Sequence, residues 1–337
     1  MEKEKRKRLF FIDAVRIFAL LCVILNHIIL LEEADILQKQ EGAYWLKGLY
    51  IFSRLGVPLF LMLTGYLQGN KDWEKREVLI KHYLRKIPIF YMMSGFSHML
   101  SLYSMGIKDS IELIKALFLF SSIRFDLDYI WYMYTYLVYM LIQPMVAIAL
   151  KNLSDKLKRI LIGITFIGTM LYPTLSALLI NSGLNFSVRF DFSLLSSYVL
   201  VWIMLGDYLR KERRLNISTS VVFFACSYMA AFFYLIYMNK IVPSDLWYNN
   251  AILLPMSLCV FWWMQKCRAK NQNIQLLAEG FGKSAFIYYL IHAILLRWLI
   301  FEKNLSYIIS AGLILLGWII LASIFAIMKK IKLITKE

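Results

Sequence analysis

Apolar segments long enough to cross a lipid bilayer recur along the chain from Leu9 to Met328, with no long polar break between them. A helix spans the hydrocarbon core of a bilayer with about 20 apolar residues. Ten such segments are present, which predicts ten transmembrane helices. Their bounds are 9–31, 47–67, 86–105, 129–150, 159–180, 192–209, 217–238, 247–264, 284–301 and 306–328. One further apolar piece, 111–120, is too short to span and is expected to be an interfacial or re-entrant helix.

Lysine and arginine are unevenly distributed between the polar segments that join these helices. If the N-terminus is cytoplasmic, the segments on the cytoplasmic side carry 27 of these residues and the opposite segments carry nine. Cytoplasmic loops of membrane proteins are enriched in Lys and Arg. The distribution therefore predicts an all-α polytopic membrane protein, a single domain over 1–337, with both termini in the cytoplasm.

Composition agrees with this pattern and excludes other classes of protein. Hydrophobic residues make up 60% of the chain and charged residues 18%, with a mean hydropathy of +0.60. A soluble domain carries about 25% charged residues and about 45–50% apolar ones. A soluble enzyme, a disordered chain, a coiled coil and a nucleic-acid-binding module are therefore excluded. The net charge of +16 is mostly a topology signal and predicts contact with anionic membrane lipid. The four cysteines have neither disulfide nor zinc spacing, and no metal is expected.

The first predicted helix carries three ionisable residues, Asp13, Arg16 and His27. Ionisable groups inside a membrane are costly, so each is a candidate for function. Arg16 and His27 are 11 residues apart, which places them on one helix face and about 16 Å apart along its axis. Asp13 precedes Arg16 by one turn and can pair with it. The spacing is equally compatible with a structural interpretation, in which the pair sets topology and His27 bonds a neighbouring helix.

Two further segments carry candidates for ligand binding. In the second predicted helix, Arg54 is a second buried cation, and Thr64 supplies a hydroxyl where two glycines and a proline interrupt the helix. Interrupted backbone at membrane depth is tolerated where it is buried or lines a cavity, and close packing of small residues explains it equally well. Arg85 and Lys86, at the start of the third predicted helix, suit the phosphate of a ligand or the head groups of lipids.

The fourth and ninth predicted helices bring aromatic residues and a histidine. Trp131 and Tyr132 belong to an aromatic cluster, part of which is an interfacial belt. His292 lies near the middle of the ninth helix, with Tyr288 one turn before it. His98, in the third helix, has no charged neighbour in sequence and is interpreted as structural.

Five segments, in order and over nearly the whole chain, resemble motifs of the acyltransferase 3 family of bacterial integral-membrane acyltransferases. The segments are Asp13-x-x-Arg16-x10-His27, GVPLFLMLTGYL at 56–67, RKIP at 85–88, IWYMYTYLVYMLIQP at 130–144 and FGKSAFIYYLIH at 281–292. Three positions depart from the family's pattern. Thr64 stands where a serine is common, His82 where the first arginine of an R-x-x-R pair often falls, and Tyr129 where many members have a histidine.

The resemblance implies acyl transfer, usually of acetyl from the co-substrate acetyl-CoA, to a hydroxyl of a cell-surface glycan or its lipid-linked precursor. The expected location is the bacterial inner membrane, and a homo-oligomer is compatible with it. On this basis His27 is the expected general base, and Arg16, on the same helix, is expected to orient Asp13 and to bind the donor or stabilise charge. Residues expected to bind the donor are Arg85, Lys86 and Arg54. Residues expected to line the substrate site are Thr64, Trp131, Tyr132, Tyr288 and His292.

Two other functions remain open at this stage. The family also resembles exporters of polysaccharides or small polar molecules, and buried charges suit a transport path as well as a catalytic site. A scaffold subunit of an envelope-glycan assembly complex is the third possibility. The histidine in the first helix favours chemistry over a scaffold, but it does not separate an enzyme from an exporter, because both need a polar path.

Overall fold

The protein is an α-helical bundle throughout the part of the chain that the structure, a computed structural model, describes: residues 9–36, 44–119, 131–183, 198–211, 216–238 and 246–334. The α-helices are α1 (Phe10–Ile36), α2 (Tyr44–Ser53), α3 (Gly56–Gln68), α4 (Arg76–Lys81), α5 (Ile87–Ser104), α6 (Ser110–Leu119), α7 (Trp131–Asn152), α8 (Asp155–Phe166), α9 (Tyr172–Asn181), α10 (Tyr198–Tyr208), α11 (Ile217–Met238), α12 (Leu253–Gln265), α13 (Gln272–Arg297) and α14 (Tyr307–Ile334). Single π-helical turns join α4 to α5, join α8 to α9, and extend α13.

Seven of the ten predicted spans coincide with helical stretches that are long and apolar enough to cross a membrane. These stretches are Phe10–Leu30, Tyr44–Gln68, Trp131–Asn152, Asp155–Asn181, Ile217–Met238, Gln272–Glu302 and Tyr307–Ile331. Two of these stretches each contain two α-helices. Tyr44–Gln68 contains α2 and α3, and Asp155–Asn181 contains α8 and α9. The protein is therefore a helical membrane protein.

Each of the other three predicted spans overlaps a described helix that does not reach the same length and hydropathy. The segments predicted at 192–209 and 247–264 contain the shorter apolar helices α10 and α12, and residues 192–197 lie outside the described part. Four serines and a histidine lower the hydropathy of α5, in the segment predicted at 86–105. The ten-span count and the cytoplasmic termini stay predictions. The short piece predicted at 111–120 contains α6, which packs against α5.

Helix α1 lies at the centre of the bundle. It packs against α2, α3, α12 and α13, and it contains neither glycine nor proline. Val15, Ala19 and Leu20 on this helix are fully buried, as is the carboxylate of Asp13. Because apolar neighbours surround α1 on several sides, its polar side chains must find partners inside the protein.

Helices α3 and α10 cross closely through two glycines. A Cβ atom added to Gly65 would lie 1.9 Å from the carbonyl oxygen of Ile203, and one added to Gly206 would lie 1.8 Å from that of Met62. Small residues at membrane-helix interfaces allow the backbones to approach closely in this way. The crossing holds α3, which carries Thr64, in place. A buried ion pair between Lys158 and Asp207, 2.7 Å apart, also ties α10 to α8.

We expect Gly206→Ala to destabilise the protein, because the added methyl group forces the two backbones apart. Overpacking of this kind costs about 1–3 kcal/mol. The measurement is the thermal unfolding midpoint of the detergent-solubilised protein. Gly312→Ala on α14 is the matched control, since no atom lies within 4 Å of the added Cβ. Equal midpoints for the two variants would contradict the close crossing.

Candidate active site

A cavity of about 360 Å³ lies among α1, α3, α5, α7 and α13. This volume is near the lower end of the range for ligand pockets, about 300–1,000 Å³. Its apolar wall includes Phe60, Phe90 and Phe286. Its polar lining is Arg16, Thr64, Lys71, Tyr132, Tyr136, Gln143, Lys283 and Tyr289. The cavity therefore combines hydroxyl groups and three cations with aromatic walls.

Arg16 reaches the cavity from α1, where Asp13 holds it in place. The Nη1 atom of Arg16 lies 3.3 Å from Oδ1 of Asp13, whose side chain is fully buried. The Arg16 side chain retains 28% exposure, so the ion pair leaves part of the guanidinium open to the cavity. The predicted pairing is present, and it leaves Arg16 as a cation that can meet a ligand.

Thr64 lies at the cavity wall on α3, opposite α7. Its hydroxyl donates to the carbonyl oxygen of Phe60 at 3.0 Å and lies 3.5 Å from the phenol oxygen of Tyr136. A hydrogen bond to the carbonyl four residues earlier is a common way for threonine to satisfy its hydroxyl inside a helix. The phenol of Tyr136 stacks on Tyr132, which also lines the cavity.

Two lysines at one mouth of the cavity differ in their partners. Lys283 pairs with Glu279 at 2.9 Å, and Glu279 also bonds Lys329. Lys71 instead lies over the ring of Trp73, 4.7 Å from its centroid, and within hydrogen-bonding reach of Lys86. No carboxylate lies within ion-pair distance of Lys71 in the described ranges. Burial, followed by the neighbouring charge of Lys86, lowers the pKa of Lys71 to about 8.

His27 and His292 form a pair in the layer next to the cavity. Their ring centroids are 5.1 Å apart. The Nδ1 atom of His292 lies 2.6 Å from the carbonyl oxygen of Tyr289. Because a carbonyl only accepts, Nδ1 of His292 carries the proton and Nε2 carries the lone pair. The Tyr289 ring, which lines the cavity, lies 5.5 Å from the His292 ring and so connects the pair to the cavity.

Arg54 lies outside the cavity lining, beside the residue that precedes His27. It is 1% exposed; its Nε donates to the carbonyl oxygen of Leu246 at 2.9 Å, and its Nη1 lies 3.3 Å from Oδ1 of Asn26. Its guanidinium also lies 4.1 Å from the ring centroid of Tyr248. Such aromatic and amide contacts compensate the desolvation of a buried guanidinium. The structure therefore separates Arg54 from Arg85 and Lys86, with which the sequence grouped it.

The predicted substrate-lining aromatics occupy three different places. Tyr132 lines the cavity and contacts Tyr289, with ring centroids 5.8 Å apart. Trp131 lies instead against Trp247, 4.7 Å between ring centroids. Tyr288 is buried on the side of α13 that faces α14, where its hydroxyl donates to the carbonyl oxygen of Ile314. Of the three, only Tyr132 lies at the cavity.

Arg85 and Lys86 lie in the π-helical turn before α5, and both are exposed. Lys86 adjoins Lys71 at the cavity mouth. The nearby His82 is buried, and its Nε2 donates to the carbonyl oxygen of Met140 at 2.8 Å. His82 therefore fastens this turn to α7, and burial lowers its pKa below the ordinary histidine value.

Sequence reasoning missed Lys71, Lys283, Tyr289 and Asn26 as candidates. Lys71 and Lys283 contribute to the sequence interpretation only as topology charges, and Tyr289 has no assigned role inside a family-like segment. Asn26 immediately precedes His27 and binds both Ser53 and Arg54. Asn26 could have been found from the sequence, because it is a polar residue next to a histidine inside a predicted transmembrane helix. No sequence signal marked Lys71, because its position depends on how the loop after α3 folds back.

The fold and the cavity define a helical membrane protein with a cation-bearing pocket among its helices. An acyltransferase-domain family model, Acyl_transf_3, matches residues 9–328. The chain therefore belongs to this acyltransferase family. No curated protein and no solved structure matches it.

We expect Lys71 to titrate well below the ordinary lysine value of 10.5, at about 8. Competitive acylation of lysines across pH 6 to 11, read by peptide mass spectrometry, measures this directly. Lys86→Met removes the neighbouring charge and should raise the titration midpoint of Lys71. Lys75→Met, at an exposed lysine paired with Asp72, is the matched control and should leave it unchanged. A midpoint near 10.5 in the unmodified protein would refute the described surroundings of Lys71.

Proposed function

We propose that this protein is a membrane O-acetyltransferase, which moves an acetyl group from acetyl-CoA to a hydroxyl of a cell-surface glycan or its lipid-linked precursor. The observation that carries the proposal is the arrangement of α1. The chain belongs to an acyltransferase family, and its helix α1 places Arg16 at the cavity and His27 beside His292.

The cavity suits the thioester arm of the donor, and its lysine-lined mouth suits the donor's phosphates. A volume of about 360 Å³ accommodates a slender chain bearing an acyl group and leaves a nucleotide outside. Lys86 and Lys71 lie at the mouth, where ammonium groups stabilise phosphate as point charges. Arg85, which is exposed, adds charge to the same turn.

The chemistry requires a base, because a hydroxyl is a weak nucleophile at neutral pH. His27 removes the proton of the acceptor hydroxyl as its oxygen attacks the thioester carbonyl carbon. The C–O bond forms, the C–S bond breaks, and the imidazole returns the proton to the sulfur, so free CoA thiol leaves. General-base catalysis of this kind contributes about 10²–10⁴-fold. Arg16 lies about 16 Å from His27 along α1, so its role is to bind the donor in the cavity and not to contact the reacting carbonyl.

The proposal includes a site of action and an orientation. Both termini and the lysine-lined mouth face the cytoplasm, which holds acetyl-CoA, and the acceptor arrives from the opposite face of the bacterial inner membrane. The uneven distribution of Lys and Arg between the loops supports this orientation. An exporter with the same fold would release no CoA thiol, so thiol release from acetyl-CoA separates the two functions.

If the turn before α5 holds donor phosphates, the double variant Arg85→Gln/Lys86→Gln should bind acetyl-CoA at least tenfold more weakly. A hydrogen bond to a charged group contributes about 1.5–3 kcal/mol. Equilibrium binding to the purified protein is the measurement. Lys75→Gln/Lys81→Gln removes the same charge from exposed positions of the same segment and should leave the affinity unchanged. Equal affinities for the two double variants would reassign Arg85 and Lys86 to lipid contact.

His27→Gln should lower turnover by about 10²–10⁴-fold, because an amide keeps a hydrogen bond but cannot accept the proton. His27→Ala should be equally inactive. Arg16→Lys keeps the charge but loses the planar guanidinium, so a clear decrease is expected. The measurement is CoA thiol release per folded protein, with folding checked by size-exclusion chromatography. Normal turnover of a well-folded His27→Gln protein would move the base to His292 or favour transport.

A further inference from the structure

Helix α5 carries a continuous polar face. Ser94, Ser97, His98 and Ser101 recur at helical spacing on one side, and each is at most 3% exposed. The opposite side of the helix, which includes Met92 and Phe96, is exposed and apolar. The polar face is therefore turned into the bundle, where α7 and α13 pack against α5.

Two serine hydroxyls on this face are buried without a hydrogen-bond partner among the described residues. The Oγ atoms of Ser94 and Ser101 have no hydrogen-bond partner in the described part of the chain. Ser97, between them, donates to the carbonyl oxygen of Leu290 at 2.6 Å. A buried hydroxyl without a partner is costly, and a serine inside a helix can bond the carbonyl four residues earlier. Ser94 and Ser101 do not, so both hydroxyls are closed off from water with their hydrogen-bonding capacity unused.

The polar face begins one turn beyond the cavity and runs along α5 away from it. Phe90 lies on the same side of α5 and lines the cavity, one turn before Ser94. The bond from Ser97 reaches Leu290, which lies between Tyr289 and His292 on α13. Ser104, at the end of α5, is exposed and lies on this same side. The stretch from Phe90 to Ser101 covers about 16 Å of helix.

We propose that the polar face of α5 (Ser94, Ser97, His98 and Ser101) lines a route that opens to water when α5 moves apart from α7 and α13, and that a hydroxyl-bearing acceptor passes along it from the far side of the membrane to the histidine pair. The inference rests on the proposed acyl transfer for the identity of the acceptor. Sugar hydroxyls both donate and accept hydrogen bonds, as serine hydroxyls do. The donor then enters at the lysine-lined mouth, and the acceptor enters at the Ser104 end.

Cysteine accessibility tests the route. The four native cysteines are replaced by alanine, and single cysteines are placed at Ser94, Ser97 and Ser101 in protein held in lipid nanodiscs. A membrane-impermeant cationic methanethiosulfonate reacts with thiolates, which form only where water is present. Met92→Cys and Phe96→Cys are the controls on the apolar side, within about 3 Å of the depths of Ser94 and Ser97. Serine and cysteine are similar in size, so the fold should be retained.

We expect the three cysteines on the polar face to react at least tenfold faster than the two controls. Similar rates on both sides of α5 would overturn the route. After modification, Ser101→Cys should lose at least tenfold in CoA thiol release in membranes that contain the natural acceptor, while its acetyl-CoA binding stays unchanged. Unchanged release would overturn the acceptor's use of the route. The labelling rates need no turnover, so they decide the route separately from the proposed acyl transfer.

Discussion

The interior of this bundle depends on one constraint: a charge or hydroxyl removed from water must be compensated by the protein around it. Asp13 is fully buried and pairs with Arg16. Arg54, equally buried, is held by a carbonyl, an asparagine side chain and aromatic rings. Lys158 and Asp207 pair between α8 and α10. Each partnership requires particular helices to lie side by side.

The cations of the candidate site differ in whether a carboxylate compensates their charge. Lys283 has Glu279, and Arg16 has Asp13, but the neighbours described for Lys71 are another ammonium and an indole ring. Like charges held together at a cavity mouth favour the binding of an anion that neutralises both. The same argument applies to the hydroxyls of Ser94 and Ser101, which favour water or a hydroxyl-bearing ligand. Unsatisfied groups thus mark both ends of the proposed reaction path.

Hydrophobic patterning predicted most of the helices but not their packing. Seven predicted spans are long apolar helical stretches in the structure, because hydropathy reports directly on segments that must avoid water. It does not report that α3 and α10 touch backbone to backbone at Gly65 and Gly206. It also describes α5 poorly, because three of the four serines that lower its hydropathy face the interior and not the lipid.

The sequence alone determined that this is a helical membrane protein, that Asp13 and Arg16 can pair, and that His27 shares their helix. It could do so because helix periodicity, and the hydropathy that reflects the cost of burying polar groups, are properties of residues that lie close together in sequence. The tertiary structure decided that Arg16 meets the cavity while His27 meets His292, that Arg54 lies apart, and that Lys71 lies beside Lys86. These relations join residues far apart in sequence, and they depend on how helix faces pack, which local periodicity does not encode.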